Sequence, residues 1–148
     1  RRGDLEKSRE GEGWKIGNLR PLFEPILWFM KPYPQGSTLT DNIIKYDVGA
    51  FNEEVLKKMV SLNSGLEVCS NILKVQTEKS DRGLHPTQKA VGLMEILIAM
   101  VTKEGQTVLD PFCGCGTTLV AAKNLKRDYI GFEINKEYYD NIMLRMKE

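Results

Sequence analysis

The sequence lacks any apolar run of the roughly 18 residues that a membrane span needs, and its polar start "RRGDLEKSREGEG" is unlike a signal peptide. We therefore expect a cytoplasmic protein with no membrane partner. An excess of charge of one sign is also missing. The formal net charge is +1 and the basic residues are spread along the chain, so there is no global positive field of the kind that nucleic-acid-binding proteins have. Nucleic acid is neither indicated nor excluded as a partner. The 148 residues otherwise have the composition of one ordinary globular domain.

Cysteine and histidine are scarce. The three cysteines, Cys69, Cys113 and Cys115, are an odd number without C-x-x-C spacing, which argues against a disulfide framework. With a single histidine beside them, the chain offers too few soft ligands for zinc, and no metal site is predicted. We expect the cysteines to be packed thiols.

Strong secondary-structure signals are few before residue 85. The polar, Gly-containing start without Met suggests a fragment or one end of a longer protein. The run "EPILWFMKPYP" (residues 24–34) predicts a strand closed by prolines, and "LEVCSNILKVQT" (66–77) is a weaker strand candidate. Between them, "NEEVLKKMVSL" predicts a short helix with Asn52 as its N-cap.

A regular alternation of elements begins after residue 85. "TQKAVGLMEILIAMVTKEG" predicts a buried helix, with Val91, Met94, Ile98 and Val101 at helical spacing and a stop at Gly105. Then follow a strand "QTVLD", a turn "PFCGCG" (residues 111–116, the glycine turn), a helix "TTLVAAKNLKR", a strand "DYIGFEI" and a last helix capped by its first residue, asparagine 135. This βαβα order predicts an α/β fold with a parallel, doubly wound sheet.

The glycine turn places Gly114 and Gly116 where a strand passes into a helix, as nucleotide-type ligands require. A phosphate loop would need a lysine after the second glycine, and a dinucleotide fingerprint would need glycine at Leu119, so both are weakened. S-adenosylmethionine carries no phosphate. At the two strand ends, Asp110 would face its ammonium group and Glu133 would accept both ribose hydroxyls.

The segments "HPTQKA", "VLDPFCGCGTTLVAA" and "YIGFEIN" resemble the C-terminal part of the β-class DNA amino-methyltransferases. These bacterial enzymes methylate adenine N6 or cytosine N4, usually within restriction-modification systems. The resemblance implies a Rossmann-like, S-adenosylmethionine-dependent methyltransferase fold, here incomplete, with double-stranded DNA as partner in a bacterial or phage cytoplasm. It divides the chain into 1–84, a polar segment with part of the target-recognition region, and 85–148, the cofactor-binding βαβα part.

The resemblance also assigns cofactor contacts to residues of all three segments: His85, Thr87, Gln88, Lys89, Asp110, Pro111, Phe112, Gly114, Gly116, Thr117 and Glu133. Two positions depart from the family pattern, since alanine 90 replaces proline and cysteine 115 replaces serine. Three of the assignments have a structural alternative. His85, before a proline, could be only a helix-start device with Thr87 as the N-cap. Asp110 could be only a cap of the turn, and Glu133 only a solvated strand end.

One family motif is missing. The [DNS]-P-P-[YFW] tetrapeptide, which orients the target amine of a flipped-out base, does not occur in the 148 residues, so no catalytic residue is assigned. The resemblance therefore implies a methyltransferase whose N-terminal catalytic part lies elsewhere in the protein or on a second chain, and the present chain alone should be inactive. A homodimer is a further expectation. The alternatives are an RNA or small-molecule methyltransferase, or a non-catalytic cofactor-binding subunit.

Overall fold

The computed structural model describes residues 24–47, 50–64, 72–75, 79 and 83–147. The chain divides into two units, Arg1–Pro32 and Tyr33–Glu148, and the secondary structure of the described residues lies in the second. In chain order the elements are α1 Leu39–Tyr46, α2 Glu53–Ser64, α3 Val91–Val101, β1 Thr107–Asp110, α4 Thr117–Asn124, β2 Asp128–Gly131 and α5 Lys136–Arg145. The predicted division at residue 84 concerns function and stays a prediction.

The strand predicted for residues 24–34 is wrong. This segment has no regular secondary structure, and its apolar side chains, among them Leu27 and Phe29, are exposed. Its prolines at positions 25, 32 and 34 have no N–H group to donate to a strand ladder, which opposes pairing despite the aromatic content.

Helix α1 has no counterpart among the predicted elements, although its start signal is present in the sequence. Thr38 and Asp41 form a capping box: the Asp41 N–H donates to Thr38 Oγ1 (3.2 Å), and the Thr38 N–H donates to Asp41 Oδ2 (2.8 Å). The bond from the Thr38 backbone lowers the pKa of Asp41. The helix ends at Asp47, whose φ of 55° is left-handed.

The prediction for α2 is confirmed, because Oδ1 of Asn52 accepts the N–H of Val55 at 3.0 Å. The Asn52 N–H in turn donates to Met100 O at 2.7 Å and joins the start of α2 to the end of α3. Beneath this junction Leu56 and Ile96 form a small apolar cluster.

Helix α3 begins at Val91, later than predicted, and has Ala90 as its N-cap. Ile98, one of the residues at the predicted spacing, is buried, but Val101 is 47% exposed because the helix ends there. Ile96, which was not among the residues at that spacing, is the most buried residue of the helix. Residues 72–75, the described part of the weaker strand candidate, also form no strand. The rest of that candidate lies outside the described residues.

The predicted βαβα order is confirmed. Strands β1 and β2 are parallel, with Thr107 opposite Asp128 and Asp110 opposite Gly131. Helix α4 crosses between them and packs against α3 through Ala121 and Ala122, which are fully buried. Side chains this small let the two helices approach closely. With its parallel strands and crossover helix, the structure confirms the α/β class predicted from the sequence.

One face of this two-stranded sheet is open. Leu109 and Ile130 are register partners on β1 and β2, and they are 60% and 50% exposed. Phe132 and Ile134, which follow β2, are exposed as well. Among the described residues, no helix is long and apolar enough to cross a membrane.

Candidate functional site

The glycine turn continues the pairing of the two strands beyond their ends. The Phe132 N–H donates to Asp110 O at 3.1 Å, and the Cys113 N–H donates to Phe132 O at 3.0 Å. The side chain of Asp110 accepts the Phe112 N–H at 3.1 Å through Oδ1. Asp110 therefore caps the turn, as the structural alternative stated. It also lies at the carboxyl end of β1, the place predicted for a carboxylate that faces the ligand.

Both glycines of the turn adopt left-handed backbone angles, φ 54° at Gly114 and φ 77° at Gly116, which a side chain would oppose. The Gly116 N–H donates to Cys113 O at 2.7 Å and closes the turn. A Cβ added to Gly116 would lie 3.0 Å from Cγ1 of Ile142 on α5. The glycine is therefore required by packing on the protein side of the turn.

Glu133 binds the backbone of the turn. Its Oε2 accepts the N–H of Gly114 at 2.9 Å, and its Oε1 accepts the N–H of Asn135 at 2.7 Å. The alternative of a solvated strand end is therefore wrong. A carboxylate has about four acceptor sites in total, so two donors do not exhaust Glu133.

His85 brings a third segment to the same glycine. Its Nδ1 accepts the N–H of Thr87 at 3.2 Å and lies 3.1 Å from Oγ1 of Thr87. The ring meets the edge of Tyr138 at a centroid distance of 4.5 Å, and its Cδ2 would lie 3.5 Å from a Cβ at Gly114. Since α3 begins only at Val91, Thr87 is no helix N-cap, and that alternative is wrong.

The remaining predicted residues surround this centre to different degrees. Gln88 and Lys89 are half-buried, and Oε1 of Gln88 accepts the Leu84 N–H at 3.2 Å, which closes the loop that carries His85. Pro111 is exposed, and Phe112 projects from the turn with 89% of its surface exposed. The side chain of Thr117 instead faces the interior, where its hydroxyl lies 3.6 Å from Cys115 Sγ.

The cysteines of the turn are buried thiols, as predicted. Sγ of Cys113 donates to Phe132 O at 3.2 Å. Burial, with the nearby Asp110 carboxylate, raises the pKa of the Cys113 thiol, which opposes formation of a thiolate nucleophile. Cys69 lies outside the described residues.

Contacts with distant parts of the chain also hold the turn, and the sequence predictions did not include them. Nη1 of Arg145 donates to Cys115 O at 2.7 Å. A Cβ at Gly131 would lie 2.7 Å from Cδ1 of Leu119, so this glycine lets β2 lie close to α4. The sequence did contain a signal for this contact, because a glycine within a predicted strand often marks a close approach of another part of the chain.

Comparison with known proteins agrees with this geometry. A family model described as DNA methylase, of the N6 and N4 methyltransferase type, matches residues 5–144. The chain belongs to this DNA methylase family. It is 53% identical over 146 residues to the type II methyltransferase M.HindIII of Haemophilus influenzae, covering 99% of this chain and 47% of that protein. It is 32% identical over 125 residues to M.HinfI of Haemophilus influenzae, covering 84% of this chain and 33% of that protein.

Solved structures of the family have a similar fold. A complex of M1.HpyAVI with SAM matches 67% of this chain and 44% of its own, at 33% identity and a TM-score of 0.52. The cytosine-N4-specific PvuII DNA methyltransferase matches 59% of this chain and 34% of its own, at 24% identity and a TM-score of 0.50, which supports the fold alone. The predicted resemblance to DNA amino-methyltransferases and the predicted methyltransferase fold are confirmed. The chain spans about half the length of M.HindIII and about a third of the length of M.HinfI.

Proposed function

We propose that this chain forms the S-adenosylmethionine-binding part of a restriction-modification DNA methyltransferase that methylates an exocyclic amino group, adenine N6 or cytosine N4. The observation that supports the proposal most is the meeting of three sequence segments at Gly114. The ring of His85 packs beside this glycine, Glu133 accepts its N–H, and Asp110 ends the strand that leads to it.

The chemistry of the donors and acceptors fits this cofactor better than it fits a phosphorylated one. Carboxylates, Asp110 and Glu133, lie at or just beyond the carboxyl ends of both strands, and residues 111–116 contain no lysine or arginine. Carboxylates suit an ammonium group and a ribose diol, whereas a phosphate would be repelled. The type II methyltransferase names of the relatives and the SAM complex of M1.HpyAVI support the same cofactor.

Each residue then has a defined task. Glu133 accepts the ribose hydroxyls through the acceptor sites that Gly114 and Asn135 leave open, and Asp110 provides negative charge for the ammonium group. His85 and Thr87 hold their loop against the turn. When bound, S-adenosylmethionine supplies a methyl group on a sulfonium, and the residues of this chain orient it.

The groups that act on the base belong, in this proposal, to a part of the protein N-terminal to these residues or to a second chain. The 148 residues contain no [DNS]-P-P-[YFW] tetrapeptide. The apolar face at Leu109 and Ile130 is exposed, and the outer edges of β1 and β2 have no partner strand among the described residues. Both features support further elements of the protein packing at this sheet. A homodimer stays a prediction, with double-stranded DNA as substrate.

The test compares the 148-residue chain with the complete gene product. Calorimetry with S-adenosylmethionine should give one site per complete protein, and tritiated methyl transfer onto unmethylated DNA should require the complete protein. The 148-residue chain alone should transfer no label, because loss of positioning can cost about 7–11 kcal/mol of barrier. Transfer by that chain alone, or no cofactor binding by the complete protein, would contradict the proposal.

A further inference from the structure

One face of helix α5 (Lys136–Arg145) lies against the glycine turn and against the His85 ring beside it. Tyr138, Ile142 and Arg145 are spaced by four and three residues, so they share one face of the helix. Ile142 and Arg145 contact the glycine turn directly, and Tyr138 reaches it through the ring of His85.

The first contact reaches Gly114 from two directions. The ring of Tyr138 meets the ring of His85 at 4.5 Å and 62°, and the His85 ring packs beside Gly114. Just before α5, Asn135 donates its N–H to Glu133, while Oδ1 of Asn135 accepts the N–H of Tyr138 at 3.3 Å. The start of the helix and the carboxylate on Gly114 are thus fixed together.

The other two contacts reach the next two residues of the turn. Arg145 donates from Nη1 to Cys115 O at 2.7 Å, and the same nitrogen lies 3.7 Å from Cys115 Sγ. Ile142 is buried and fills the space beside Gly116 so closely that a Cβ there would lie 3.0 Å from it. Consecutive residues 114, 115 and 116 are therefore each held by α5, directly or through His85.

We infer that α5 sets the conformation of the glycine turn, and that Tyr138 and Arg145 are positioning residues for the cofactor. The inference rests on the proposed function, because it assumes that S-adenosylmethionine binds at the turn. Tyr138 acts through the His85 ring and Arg145 through the Cys115 carbonyl oxygen. The Cys115 carbonyl oxygen belongs to the turn and the His85 ring packs beside Gly114, so loosening either contact should lower the affinity for the cofactor.

The test uses the complete gene product with Arg145→Met and Tyr138→Ala. Each should raise the Kd for S-adenosylmethionine by about fivefold or more, since each loses one contact to the turn. The KM for the cofactor should rise likewise, while kcat at saturating cofactor and the KM for DNA should stay near wild type. A purely structural role would lower thermal stability without this split between cofactor KM and kcat.

Conservative and control variants complete the test. Arg145→Lys keeps one donor and should recover part of the affinity, and Tyr138→Phe keeps the ring and should bind like wild type. Lys136→Met removes only an exposed ion pair with Asp140 from the same helix and should leave the Kd for S-adenosylmethionine unchanged. If Arg145→Met fails to fold, the Tyr138 pair carries the comparison.

Wild-type affinity in both Arg145→Met and Tyr138→Ala would overturn the inference and leave the proposed function standing. Lack of cofactor binding by the wild-type protein would instead overturn the proposed function itself.

Discussion

Replacement of Glu133 by glutamine is expected to harm cofactor binding nearly as much as replacement by alanine. Both carboxylate oxygens accept backbone N–H groups, from Gly114 at 2.9 Å and from Asn135 at 2.7 Å. Glutamine keeps one oxygen and places an NH₂ group where the other one was. One backbone donor would then face another donor, and the turn would have to move to avoid it.

The size of this effect follows from the two hydrogen bonds. A bond to a charged acceptor contributes about 1.5–3 kcal/mol, and the lower figure applies here because Glu133 is partly exposed and water replaces some of the loss. These bonds are also present without the cofactor, so Kd rises only by the free energy needed to restore the turn in the bound state. If that cost equals one such bond, about 1.5 kcal/mol, Kd rises about tenfold. Glu133→Ala removes both bonds and the ribose acceptor, so it should weaken binding by about tenfold or more.

Calorimetric titration of the complete gene product with S-adenosylmethionine measures this directly. Glu137→Gln is the matched control, because Glu137 is an exposed acid in the first turn of α5. It should keep its Kd within about twofold of wild type. A Glu133→Gln variant that also stays within about twofold would refute the assignment of both oxygens to backbone donors.

Three further outcomes are expected. Gly116→Val should abolish cofactor binding and lower the melting temperature, because the new side chain meets Ile142 and valine is strained at a φ of 77°. Unchanged affinity in calorimetry would rule out the turn as the cofactor site. Cys115→Ser should keep full activity in the methyl-transfer assay, since a hydroxyl can still accept from the Arg145 guanidinium, and lost activity or stoichiometric zinc in the purified protein would count against the family mechanism. In that Cys115→Ser background Cys113 should react with iodoacetamide at pH 7.5 at least about tenfold more slowly than in denaturant, followed by mass spectrometry, because burial raises its pKa; equal rates would show an accessible thiolate.

The elements around the site were predictable because their signals are local. A tight Gly-containing turn between a short apolar run and a run of small residues fixes the β1–α4 junction. Asn135 caps α5 because its Oδ1 accepts the N–H groups of Glu137 at 2.9 Å and Tyr138 at 3.3 Å. The capping box of α1, at Thr38 and Asp41, is an equally local signal, yet α1 was not among the predicted helices.

Other features depend on contacts that no local pattern contains. The space that a Cβ at Gly116 would enter is filled by Ile142, which lies 26 positions later. The contact of His85 with Tyr138 joins residues still further apart. The aromatic run at residues 24–34 has a local strand signal but forms no strand. Strand propensity reflects packing against neighbouring strands, and a short stretch of sequence does not show whether such neighbours exist.

The hydrogen bond from the Thr87 N–H to His85 makes the Nδ1 atom an acceptor, so the neutral ring carries its proton on Nε2. His85 is the single histidine of these 148 residues. In a ¹⁵N-labelled protein its two ring nitrogens therefore give one pair of signals from this region, and a His85→Gln variant identifies that pair. Because the ring packs beside Gly114, the same signals would report the tautomer and any movement of the glycine turn during a titration with ligand.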